Sequence, residues 1–74
     1  MDEYADTWLV LEIQSNGDQL ACISSSHTSW NDALSKFYQT MISATQSNIP
    51  EHTVVIMDKI GQVRKCETVY HQGV

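Results

Sequence analysis

Cys22 and His27 stand five positions apart, and so do Cys66 and His71. Two thiols and two imidazoles could in principle close a tetrahedral zinc site. The spacing argues against it, because five residues along a strand turn the two side chains to opposite faces and no Cys-x2-Cys knuckle pins a metal. The pattern instead predicts two buried, reduced thiols and no metal, with His27 and His71 as solvated imidazoles at strand ends. His52 stands apart at the entry of the most apolar strand, where an imidazole could contact a ligand. The chain carries no nucleophile elbow, phosphate loop, zincin helix or glycine fingerprint. The expectation is a protein that is not an enzyme and uses no cofactor.

Aromatic rings and cations offer a second kind of chemistry. Trp8, Trp30, Tyr38 and Tyr70 have a stacking face and a polar tip, the combination that holds a flat ligand. Trp30 and Tyr38 fall on an apolar helical stripe and read as packing residues, whereas Trp8 falls on a strand face that has no obvious cover. Arg64, the single arginine, is followed by Lys65. The pair would either guard a sheet edge or clamp a phosphate or carboxylate. The candidate ligand-binding residues are therefore Trp8, His52, Arg64, Lys65 and Tyr70.

The elements that must position these groups follow from periodicity. Thr7 to Gln14 alternates, with Leu9, Leu11 and Ile13 on one face and Trp8, Val10 and Glu12 on the other. Asn16-Gly17 suits a two-residue type I′ turn, which sets Gln19 to Ser25 antiparallel with Ile13 beside Leu20, Leu11 beside Cys22 and Trp8 beside Ser25. Ser29 with Asp32 forms a capping box, after which Trp30, Ala33, Leu34, Phe37, Tyr38, Met41 and Ala44 recur at helical spacing. Asn48 suits a left-handed cap and Pro50 cannot continue a helix, so the helix ends by Ser47 or Asn48. Thr53 to Asp58 is apolar on both faces, as a central strand is. Asp58-Lys59-Ile60-Gly61 reads as a type I turn with Gly61 left-handed, and Val63 to His71 carries the charges of an edge strand.

The resulting ββαββ chain is an α+β fold with a four-stranded antiparallel sheet in the order 2-1-3-4 and one helix on one face. It forms a single domain over residues 1–74, with residues 1–6 expected to be flexible. A chain of 74 residues is too short for both a core and a deep private cleft, so a sizeable pocket should be shared between copies. Trp8, Val10, Ala21 and Ile23 are expected on the uncovered sheet face, and so at a homo-oligomer interface.

Four Lys and Arg against nine Asp and Glu give a net charge of -5, which disfavours non-specific binding to nucleic acid and to anionic membranes. The first residues show neither a basic n-region nor an apolar h-region, and an intracellular setting is expected.

The segments Trp8 to Gln14, Ser35 to Thr40, Ile49 to Asp58 and Gly61 to Glu67 resemble a family of small acidic proteins encoded by phages and prophages of gut Firmicutes. That resemblance spans most of the chain. It implies a viral protein acting in the host cytoplasm, and it brings no established active site. Three functions fit this setting. One is an anti-defence sponge, an oligomer that sequesters a nucleotide-derived immune signal at a subunit interface. Another is a virion-associated or assembly module that meets another phage protein. The third is an acidic inhibitor of a host defence enzyme.

Overall fold

The helix begins where a serine offers a lone pair to an orphan amide. Ser29, extended at φ -137° and ψ 150°, accepts a hydrogen bond from the Asp32 amide through Oγ at 3.0 Å. In the computed structural model, which describes residues 7–70, the elements are β1 (Trp8–Ser15), β2 (Leu20–His27), α1 (Trp30–Thr45), β3 (Glu51–Asp58) and β4 (Val63–Tyr70). The flexible start expected for residues 1–6 and the position of His71 lie outside the described residues. Helix α1 stops before Asn48. The Gln46 amide donates to the Ser43 carbonyl at 3.1 Å and the Ser47 amide to Ala44 at 3.2 Å. These tightened bonds satisfy the last carbonyls without a left-handed residue, and no described non-glycine residue has a positive φ.

The sheet order is β2-β1-β3-β4, with every neighbouring pair antiparallel. This is the expected ββαββ topology. The first hairpin differs in register: Ile13 faces Cys22 and Trp8 faces His27, instead of Leu20 and Ser25. The loop takes four residues because the Asn16 side chain helps to close it. Its Oδ1 accepts from the Gln19 amide at 3.2 Å, and only Gly17 needs a positive φ, 101°. Two positions of slip keep every side chain on its face. Leu9, Leu11, Ile13, Leu20 and Cys22 therefore still share one side.

That side is the open one, the reverse of expectation. The core beneath α1 is Val10, Val54 and Ile56 from the sheet with Ala33 and Phe37 from the helix, all at most 3% exposed. Trp8, Trp30, Leu34 and Met41 pack around it. Trp8 and Val10 thus lie under the helix and not at an open interface. Ala21 and Ile23 share their side, since Ile23 pairs with Glu12 and Ala21 with Gln14.

The physical reason lies in β3. Its buried residues are His52, Val54, Ile56 and Asp58, while Thr53, Val55 and Met57 are only half-buried. Compact β-branched residues let the helix approach through Ala33 and Ala44, and Phe37 fills the space between. Both faces of β1 are largely apolar, and the packing against β3 and α1 overrides the more hydrophobic leucine side.

Two further expectations change. Cys22 and Cys66 are free thiols but exposed, because both stand on outer strands on the open side. Tyr38 is 51% exposed at the margin of the helix stripe, its ring edge-on to Phe37 at 5.4 Å. The second hairpin forms as expected, with Gly61 at φ 92° and its amide bonded to the Asp58 carbonyl at 3.0 Å.

Burying a side chain the size of Ile56 contributes about 1.5–3 kcal/mol. Ile56→Ala should therefore cost about 2–5 kcal/mol of unfolding free energy in urea, because it also leaves a cavity. Leu20→Ala, at a position 75% exposed in the chain, should change stability by less than about 0.5 kcal/mol when measured on the dilute protein.

Candidate functional site

The five residues singled out for ligand binding do not converge. Trp8 stands at the start of β1, its ring edge-on to Trp30 with centroids 4.9 Å apart and planes at 66°. Its strand neighbour is Asp58 at the far end of β3. Tyr70, 63% exposed, lies at the opposite end of the sheet beside Glu51.

Arg64 is committed to structure. A register shift between Ile56 and Met57 makes Lys65 face Ile56 and Val63 face Met57, which leaves Arg64 as the extra residue of a bulge. Its Nε and one terminal nitrogen both donate to Asp58 Oδ2, at 3.2 and 3.1 Å. Asp58 Oδ1 accepts from the amides of Ile60 and Gln62 at 3.2 and 2.9 Å. Burial alone would raise the Asp58 carboxyl, but the Gln62 amide, the guanidinium and the Ile60 amide together hold it below its ordinary value. Lys65 runs along the helix side, with Nζ 5.5 Å from the Phe37 ring centre and 5.7 Å from that of Tyr38.

His52 is 1% exposed, and its Nδ1 lies 2.7 Å from Glu12 Oε2. This pair was missed in the sequence because its members are 40 positions apart. The 2-1-3 strand order is what brings them together: Gln14 lies opposite His52, and Glu12 sits diagonally on the same face. Glu12 also lines a cleft of about 150 Å³ between α1 and β2, with Val10, Ile23, Ser25, Lys36 and Thr40. Beside it Ser25 Oγ is 2.8 Å from His27 Nε2. That is the nearest approach to a nucleophile and base, and among the described residues no carboxylate is seen on the imidazole to orient it. No group of described His, Cys, Asp or Glu residues could hold a metal ion. No helix among them is long and apolar enough to cross a membrane.

The side of the sheet opposite α1 forms a continuous surface. Leu9, Leu11 and Ile13 from β1 adjoin Val55 and Met57 from β3 to form its centre. Ser24 and Ser26 flank it on β2, and Thr53 and Thr68, whose hydroxyls are 3.2 Å apart, lie toward β4. Among the described residues of the four strands on this side, Glu51 is the sole charged one, and it sits at a strand end. An apolar centre with small polar flanks and no interior charge is the composition of a protein contact surface.

No family model, no curated protein and no solved structure matches the chain. The open face therefore has to be interpreted from its own chemistry.

Because the Asp58 carboxyl is held below its ordinary value of 3.8, it contributes stability at higher pH and loses it as pH falls through the folded-state value. Asp58→Asn should lower the melting temperature at neutral pH, and the gap from the parent should close below about pH 4. Melting curves across the acid range would check this, and a gap independent of pH would refute the assignment.

Proposed function

We propose that this chain is a non-enzymatic binding protein that works as a homo-oligomer, its subunits meeting across the uncovered sheet face. The observation that carries this is the uncharged apolar surface centred on Leu11 and Val55. A soluble monomer rarely leaves so continuous a patch in water.

Size and charge both support a second copy as the cover. From strand spacing and rise the face measures about 19 by 26 Å, or about 500 Å² per subunit. A pair would bury about 1,000 Å², at the lower bound for a specific interface. The chain carries a net charge of -5, so a surface with only Glu51 at its end is where two copies approach with least repulsion.

The resemblance to small phage proteins supplies a setting, the host cell, and for that setting the ligand class we propose is a nucleotide-derived immune signal. Trp8, His52, Arg64, Lys65 and Tyr70 are dispersed within one subunit, so such a ligand would have to be held by the assembly. Sequestration of this kind needs binding without turnover. Attachment to another phage protein, or to a host enzyme, is the competing use of the same face.

Sedimentation equilibrium tests the assembly. The parent should show a mass that rises with concentration to at least twice that of the chain. Leu11→Lys should stay folded by circular dichroism and weaken self-association by at least about tenfold. A parent that is monomeric throughout would refute the homo-oligomer and favour a partner of a different kind. Titration calorimetry against cyclic and ADP-ribose-derived nucleotides tests the ligand separately, and an absence of heat with all of them would remove the sponge while leaving the assembly.

A further inference from the structure

The two edges of the sheet are built differently. β4 is guarded: Arg64, Lys65 and Glu67 lie along it, and the bulge at Arg64 breaks its regular ladder. These are the devices by which natural edges avoid pairing with other strands. β2 has none of them. Its eight residues, Leu-Ala-Cys-Ile-Ser-Ser-Ser-His, include no Asp, Glu, Lys, Arg or Pro, and its pairing with β1 runs without a register shift. Among the described residues no strand pairs with its outer side, which presents backbone donors and acceptors along an uncharged strand.

We infer that β2 is a docking edge for a second copy of itself, two chains pairing antiparallel about a two-fold axis to make one eight-stranded sheet. The guarding of β4 decides the occupant. Pairing of β2 with the β4 of another copy would be head-to-tail and would grow into an open fibre, and the charges and bulge of β4 oppose it. Pairing of β2 with β2 closes after two subunits. Ser24, Ser25 and Ser26 keep the centre and one flank of the strand small, so backbones can approach without a clash. Ile23, 55% exposed on the helix side, gains apolar cover from the neighbouring strand. This contact goes beyond the face-to-face association and does not depend on it. The two contacts use different surfaces of the subunit, one the sheet face and the other the β2 edge.

The symmetry makes a sharp geometric demand. In an antiparallel pair about a two-fold axis, one residue lies opposite its own copy, with Cα atoms about 4.5–5.5 Å apart, within reach of a disulfide. One residue away from the axis, the equivalent Cα atoms are already about 8 Å apart, beyond disulfide reach.

The test uses the full chain carrying Leu11→Lys, which weakens the face contact, and Cys66→Ser. A single cysteine is then kept at 22, or moved by Ile23→Cys, Ser24→Cys or Ser25→Cys combined with Cys22→Ser. Each protein is treated with diamide and read as the disulfide-linked dimer by mass spectrometry under non-reducing conditions. The expected result is one position that cross-links at least about tenfold more than its neighbours, as the distance limit requires. Equal cross-linking at all four positions, or none, would overturn the edge pairing. So would equal cross-linking through Cys66 in a chain carrying Leu11→Lys and Cys22→Ser. Failure here leaves the face-to-face association standing, since that is judged on the chain with Leu11 intact.

Discussion

Seating Phe37 of α1 on Val10, Val54 and Ile56 is the contact on which the rest of the molecule depends. There the helix and the two central strands meet with these side chains excluded from water. A sheet with two apolar sides needs something to choose between them, and this contact does so. Once the even-numbered residues of β1 and β3 are committed to the helix, the odd-numbered ones face outward by the two-residue period of a strand. The exposed surface is thus a direct consequence of how the core is built.

The topology was legible because each of its signals is local: the Ser29 cap, the helical stripe, Pro50, the Asp58 to Gly61 turn and the alternation of β1. The choice of face was not, because it depends on a comparison between strands distant in sequence. Thr7 to Gln14 places Leu9, Leu11 and Ile13 against Trp8, Val10 and Glu12, and by hydrophobicity alone the leucine side is the better core. The reversal comes from fit, with β-branched residues at 54 and 56 set against Ala33 and Phe37 of the helix. The hairpin register was misjudged for a similar reason. Asn16-Gly17 can make a two-residue turn, but the Asn16 side chain bonds to Gln19 and draws two more residues into the loop.

The candidate site divides in the same way. Arg64 and Lys65 read in the sequence either as guards of a sheet edge or as a clamp for an anion, and in the fold both side chains are engaged within the chain, one by Asp58 and the other along the Phe37 and Tyr38 rings. Tyr70 and the two cysteines were assigned to strands correctly, but their exposure follows from the face reversal. The Glu12–His52 pair had no local signature. It exists only because β1 and β3 are neighbours, and it places two polar groups at the edge of an otherwise apolar core, where each offsets the cost of burying the other.

The edge-on contact of Trp8 with Trp30 also determines what an optical experiment can see. These are the two tryptophans of the chain, and both occupy the corner between α1 and the sheet. Indole emission will therefore follow the docking of the helix. It will stay nearly silent when copies gather on the other side, so a constant spectrum on dilution is compatible with complete dissociation. Tyr70 and the exposed thiols are the native reporters on that side.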